Sequence, residues 1–356
     1  MNAEVFPRLI RAIRERHLDG LLAVSPENVA YLVGFRVGEP GEPRWRQAAA
    51  LATWDGRMAL VCVDAHAEAV RRRSGPEMVL RTWAEFGDNP THVLADILSE
   101  FHLGQARIGV ELDYLAAADL RVLEARFPKV LWTAAETLFT RLRRHKGPQE
   151  VERLRHLSRI ADQAFLDVLT SLKQEVADRE IRGLIAQELL RLGAEECRVS
   201  VTRIESGTMA ATSGIEATVL LDGYHAVMAR AIASPHSGEI RRQWETRLAA
   251  HRELIRCLTP GGPAAEVFTR VERLQATLGL SGASLVAHGV GLASLEEPFL
   301  GPFPEVEVEA GMVLVVGPGR RVPWPLRDMV LATADGAELL THRCDPDQGI
   351  RWDCPR

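Results

Sequence analysis

The residues best equipped for chemistry lie in one stretch, Ala287–Pro298, which reads AHGVGLASLEEP. It sets His288 among glycines (Ala287-His288-Gly289-Val290-Gly291) and follows it with Glu296, Glu297 and Pro298. Glycines let a backbone come close to a ligand or a neighbouring strand. An imidazole held there can donate, accept, take a proton near neutrality or bind a metal. A carboxylate nearby can orient that imidazole or share its proton. The plainer alternative is a histidine that satisfies backbone groups and two glutamates in a solvated turn before Pro298. A second polar stretch, Arg36–Arg46, holds three arginines, two prolines, two glycines and Trp45. It reads as a solvated loop, or as a rim that reaches towards a carboxylate, whose geometry the guanidinium fork matches.

These residues need elements to position them. At 356 residues two domains are expected, and 46% apolar with 26% charged residues is the composition of a soluble globular chain. A formal charge of −5 argues against nucleic-acid binding, which needs a concentrated basic surface. The five cysteines (Cys62, Cys197, Cys257, Cys344, Cys354) are scattered and never spaced CxxC. That speaks against a disulfide framework or a zinc site and for a reducing, cytoplasmic setting. The opening MNAEVFPRLIRAIRERHLDG is charged and amphipathic without a signal-peptide core, and no uncharged run approaches a membrane span.

Leu9, Ile10 and Ile13 fall on one face of a helix from Phe6 to His17. Leu21–Val24 reads as a buried strand, Ser25-Pro26-Glu27-Asn28 as the turn opening a helix, and Ala48–Thr53 with Met58–Val63 as a hairpin. Arg107–Glu111 reads as a further buried strand, so the first third is an α/β domain. Pro148 followed by Glu150 marks a helix start. That helix runs to Lys173, burying Val151, Leu154, Leu157, Ile160, Ala161, Ala164, Phe165 and Val168. A hairpin through Asp222-Gly223-Tyr224, helices over 239–258 and 264–278, and strands at Gly311–Val316 and Asp328–Thr333 follow.

In this order the signals resemble the creatinase/prolidase/methionine-aminopeptidase superfamily, the M24 or pita-bread fold. HKGPQEVERLR looks like its entry helix, SGTMAAT like its Ser-Gly-x-Asn-Ala stretch, and LLDGYHAVMARAIA like Gly-Tyr-x-x-Asp-x-x-Arg. LTPGGPAAEVF resembles the Pro-Gly loop, and AHGVGLASLEEP resembles Gly-His-Gly-Ile-Gly…His-Glu-x-Pro. EAGMVLVVGPG and RDMVLATADGAELLT resemble the two closing blocks, and SPENVAYLVGF the start of a creatinase-type N-terminal domain. The resemblance spans essentially the whole chain. It implies a small N-terminal α/β domain over 1–138 and, over 139–356, a pita-bread domain with a curved, mostly antiparallel sheet covered by helices.

The departures carry the functional expectation. The superfamily's peptidases hold two metal ions with two aspartates, a histidine and two glutamates. Position by position, the first aspartate falls near Glu216 and the second on Val227. The histidine is kept as His288, and the glutamates become Gly317 and Arg327. The family's second histidine falls on Leu295, and the histidine closing the Ser-Gly block falls on Gly214. A divalent site needs several convergent donors, and a fixed guanidinium charge repels a cation. No metal or other cofactor is therefore expected. The superfamily's metal-free, creatinase-like branch implies C–N bond hydrolysis, and the expectation here is hydrolysis, elimination or cyclisation on a small carboxylate-bearing, amino-acid-like or guanidino/amide substrate. On that reading His288 is the acid/base, served by Glu296 or Glu297. Arg327, with Arg320 or Arg321 as alternates, holds the carboxylate. Tyr224, His225 and Glu216 line the pocket, and Arg44 or Arg46 closes it from a second subunit of a homodimer. Arg230 reads as a structural ion-pair residue, and Arg327 has Asp328 or Glu309 as plain alternative partners. The rival readings are an inactive relative serving as a binding or scaffold protein, and a divergent Xaa-Pro peptidase with a reduced metal site.

Overall fold

The computed structural model of the protein describes residues 4–172, 176–204, 212–233, 238–276, 285–303, 306–317, 325–342 and 344. Arg320, Arg321 and most of the Ser-Gly stretch lie outside the described residues. The chain divides into two compact units, Met1–Arg143 and Arg144–Arg356.

The first unit runs α1 (Val5–Glu15), β1 (Gly20–Ala23), α2 (Pro26–Val33), β2 (Ala49–Thr53), β3 (Met58–Val63), α3 (Ala67–Arg73), β4 (Met78–Trp83), α4 (Pro90–Glu100), β5 (Arg107–Val110), α5 (Ala117–Arg126), β6 (Leu131–Ala134) and α6 (Glu136–Arg144). Its sheet has the order β4-β3-β2-β1-β5-β6. β2 is antiparallel to both neighbours, and the other pairings are parallel. The carboxyl ends of β1, β3, β4, β5 and β6 thus share one end of the sheet. β1 is buried at every residue, as expected of a strand covered on both faces. Leu94, Ile97 and Leu98 of α4 join Leu22, Val61 and Val63 in the core. α1 buries Val5, Leu9, Ile10 and Ile13, the stripe its spacing predicts. The Ser25 side chain caps α2 by accepting the Asn28 N–H, with Pro26 in the first turn. Glu111, buried just past β5, then fixes this turn. It accepts the N–H groups of Val24 and Ser25 and an Asn28 amide proton at 2.7, 2.9 and 2.6 Å.

The second unit runs α7 (Pro148–Ser171), α8 (Asp178–Arg191), β7 (Glu196–Ile204), β8 (Thr212–Leu221), β9 (Tyr224–Ala233), α9 (Gly238–Arg256), α10 (Ala264–Ala276), β10 (Ala287–Gly289), β11 (Glu296–Leu300), β12 (Val313–Val316), β13 (Asp328–Thr333) and β14 (Gly336–Leu339). Two antiparallel sheets, β7-β8-β9 and β11-β10-β12-β13-β14, are joined by a bridge between Ala229 and Arg327. α7 packs along β9, and all eight residues expected on its buried face are buried. One local reading fails: Glu296–Pro298 is not a turn but the start of strand β11, paired with β10. The architecture is otherwise the one implied by the resemblance, a parallel-rich α/β unit followed by antiparallel sheets and helices.

Candidate functional site

Side chains alternate along a strand, and residues directly opposed in an antiparallel pair point to the same face. Across β8 and β9, Glu216 opposes Ala229 and Thr218 opposes Val227. Ala229 in turn bridges Arg327. Val315 on β12 opposes Met329 on one side and His288 on the other. Gly317 and Arg327 each lie two residues from a member of that row. The register therefore brings Glu216, Val227, His288, Gly317 and Arg327, the five positions assigned to metal ligands, onto one face of the second unit.

The chemistry on that face has been exchanged. Val227 is 3% exposed, and Ala229, Val315 and Met329 are buried beside it. An Arg327 Nη1 lies 3.4 Å from a Glu216 oxygen, reaching across the small Ala229. Both side chains are largely buried, 12% and 22% exposed. At Gly317 there is no side chain and no room for one. Its φ is +153°, and a Cβ would collide with the Leu326 carbonyl. Arg247, buried in α9, adds a second cation: burial, and after it the charge of Arg327, push its guanidinium down to about 9. Among the described residues no group of three or more His, Cys, Asp or Glu could hold a metal ion. A divalent ion 4 Å from Arg327 would be opposed by about 8 kcal/mol at an effective dielectric of 20. The donor set does not fit the family's two-ion centre.

His288 is half-buried, and its Nδ1–H donates to the Gly289 carbonyl at 2.9 Å. A carbonyl only accepts, so Nδ1 carries a proton, and in the neutral ring Nε2 is the nitrogen that accepts one. The β10–β11 register shifts between His288 and Gly289, and such irregularities re-aim a side chain. Gly289 permits this, because a Cβ there would run into the backbone of Glu297.

The remaining expected residues are distributed as follows. Glu296 pairs with Lys146 at 2.9 Å, the two side chains 10% and 2% exposed, and Glu297 pairs with Arg144 at 2.9 Å. Leu295 is exposed. His225 shares the face of Val227 by alternation, and its backbone N–H donates to the Gly291 carbonyl. Tyr224 faces the other way, its hydroxyl donating to Glu150 at 3.0 Å, while that carboxylate's second oxygen accepts the Gly147 N–H and caps α7. The two plain alternative partners of Arg327 are engaged elsewhere. Asp328 takes Arg230 at 2.6 Å and His251 at 2.8 Å, and Glu309 takes His145 at 3.1 Å. Arg44 and Arg46 belong to the first unit. Arg44 stacks 4.7 Å from the Tyr114 ring centroid, and Arg46 pairs with Glu42 and Glu85. Sequence reading missed Lys146, Arg247 and His251. The last two carried a signal, since Trp244, Arg247, Leu248 and His251 fill one apolar helix stripe, where a charged group is buried by position.

Comparison with known proteins follows the same outline. The profile of metallopeptidase family M24 matches residues 152–352, and that of the creatinase/prolidase N-terminal domain matches 6–145. An uncharacterized peptidase of Staphylococcus aureus is 23% identical over 94% of this chain and 98% of its own length. Among solved structures, an X-Pro aminopeptidase from Thermotoga maritima superposes with a TM-score of 0.81 at 17% identity, over 94% of this chain and 97% of its own. A dipeptidase from Pyrococcus horikoshii gives 0.78 at 24% identity, over 95% and 98%. The N-terminal domain of the FACT complex subunit SPT16 from chickpea gives 0.72 at 12% identity, over 98% and 97%.

Proposed function

The chain belongs to metallopeptidase family M24, and from that premise we propose that it acts on a small carboxylate-bearing, amino-acid-like or amide molecule without the family's two-ion centre. The observation that carries this reading is the Arg327 guanidinium facing Glu216 at 3.4 Å on the same face as His288. Arg327 binds the ligand carboxylate, taking it in place of Glu216. His288 accepts a proton at Nε2 from attacking water and returns it to the departing nitrogen, so that a C–N bond is hydrolysed. Elimination and cyclisation would use the same proton acceptor.

The test uses the purified full chain, metal analysis, and thermal shift and turnover assays over amino-acid derivatives and Xaa-Pro dipeptides. The expected result is a carboxylate ligand that raises Tm with no response to a chelator. In Arg327→Met its affinity falls about 10-fold or more, the loss of one charged hydrogen-bonded contact. In Glu216→Gln it rises, because the competitor for Arg327 has gone. His288→Ala lowers kcat by about 100-fold or more while binding persists. Hydrolysis of an Xaa-Pro dipeptide that needs added manganese or cobalt and stops with chelator overturns the proposal in favour of a reduced metal site.

A second reading, an inactive relative that binds without turnover, is favoured by one observation. The two carboxylates expected to serve His288 are held by Lys146 and Arg144. On that reading the ligand binds, no product forms, and His288→Ala changes nothing but affinity.

A further inference from the structure

The row of residues that carries His288 does not end at His288. β11 lies beyond β10 at the edge of its sheet, and Phe299 directly opposes His288 across that pair. Opposed residues of an antiparallel pair share a face, with Cα atoms about 5 Å apart. The residues between them in sequence settle which face this is. Ala287, Leu300, Val316 and Val330 pack into one core with Leu254 of α9 and Val267 of α10. His288, Phe299, Val315 and Met329 alternate with those four and so point away from the helices, onto the face of Arg327. Val315 and Met329 are fully buried there, whereas Phe299 is only half-buried. Its ring is not spent on the helix-covered core.

The face therefore has a direction. At one end stand Arg327 and its partner Glu216. Met329, two residues on from Arg327, is two strand steps, or about 10 Å, from His288. Phe299 lies one step further the same way. The order across the sheet is thus a cation, a proton acceptor and an aromatic ring. Among the described residues, the carboxylates of the Phe299 end are already held. Glu297, two residues before Phe299, pairs with Arg144, and Glu296 pairs with Lys146. A ligand ammonium placed at that end would lose its water and gain no counter-charge.

On the reading that Arg327 takes a carboxylate and His288 moves a proton, we propose that the ligand is an N-acyl amino acid whose acyl group is uncharged and aromatic. The carboxylate meets Arg327, the amide lies at His288, and the acyl ring packs on Phe299. In its hydrolysis the water oxygen bonds to the acyl carbon and the C–N bond breaks. The nitrogen leaves with the proton that His288 took from the water, so the products are an aromatic carboxylic acid and a free amino acid. The probes are N-benzoylglycine, N-acetylglycine, N-propanoylglycine and glycylglycine, titrated into the full chain by calorimetry. The expected result is that N-benzoylglycine binds at least about 5-fold tighter than N-acetylglycine, the gain of a buried aromatic contact. N-propanoylglycine binds at least about 10-fold tighter than glycylglycine, which carries an ammonium where the other carries its terminal methyl. Phe299→Ala brings the benzoyl-to-acetyl ratio to about one, and Phe299→Leu, which keeps most of the bulk, narrows it, while Phe299→Tyr retains it. Equal affinity for the benzoyl and acetyl compounds, a ratio unchanged in Phe299→Ala and Phe299→Leu, or glycylglycine bound as tightly as N-propanoylglycine overturns this inference. If Arg327→Met still weakens every probe, the carboxylate reading survives that outcome. If Arg327→Met weakens none of them, or none binds, the carboxylate reading falls and this inference falls with it.

Discussion

Arg230 and Arg327 meet at one backbone rung and face opposite ways. One Arg230 nitrogen donates to the carbonyls of both Ala229 and Arg327, each at 2.9 Å, and the other end pairs with buried Asp328. The structural role expected for Arg230 is thus the one it has. Its partner is not legible locally, because Asp328 lies 98 residues away and reads in sequence as a neighbour of Arg327. Strand alternation alone excludes pairing with Arg327, since adjacent residues point to opposite faces. The Glu216–Arg327 pair was less legible, for it depends on a bridge between two sheets. Asp328 also carries a pH signature. Burial by itself would raise its carboxyl, but the Arg230 charge and the His251 and Thr341 hydrogen bonds outweigh burial and hold it well below the usual range. The stabilisation is complete above the unfolded value of about 3.9 and is lost as pH falls towards the depressed one. Asp328→Asn should cost about 3–5 kcal/mol at pH 7, as breaking a buried ion pair does. Thermal melts of the two proteins should converge between about pH 4 and pH 2, the wild type losing more. Parallel curves would remove Asp328 from the acid response.

Among the elements, the helices were the most legible. α7 announces itself by Pro148, Glu150 and an apolar stripe, and the chain buries that stripe as written. β11 was not legible, because Glu-Glu-Pro reads as a turn until its partners are known. Lys146 and Arg144, which hold those glutamates, are some 150 residues away in the chain. Long-range ion pairs of that kind leave no local pattern. The same limit applied at the candidate site. The resemblance implies the loss of ligand residues, whereas the closing of the Leu326 backbone over Gly317 leaves no local pattern. Two glycines separate the causes there. Gly336 has φ +125° with open space where a Cβ would go, and Gly317 has φ +153° with Leu326 in the way. Gly336→Ala should cost only conformational strain, about 1–3 kcal/mol. Gly317→Ala should add an overpacking cost of about 1–3 kcal/mol more, visible as the lower Tm of the two variants. Equal melting temperatures would mean that Leu326 yields without cost.

At the level of the whole molecule, the two units have separate cores, each closed by its own helices. The first gathers Leu22, Val61, Val63 and the α4 residues around a single sheet, and its polar tie Glu111 is internal to it. The first 143 residues expressed alone should therefore give a soluble fragment with a cooperative thermal transition and helical circular dichroism. A fragment that is expanded and melts without cooperativity would make the first unit dependent on the second. The pattern of the sequence changes near residue 140, from helix–strand alternation to long helices and a hairpin. What it left unread was the parallel direction of the strands, because direction belongs to pairing and not to any single strand.

The rung between Ala229 and Arg327 is made of main-chain bonds of 3.1 and 3.2 Å, and Arg230 grips both of its carbonyls from the far side. Nothing in that grip depends on what the residue at 327 carries beyond its Cα. Charge at this point is accordingly a replaceable fitting on a fixed mount. A lineage could turn an acid into a base there, and trade one clientele of ligands for another, while the scaffold beneath never registered the exchange.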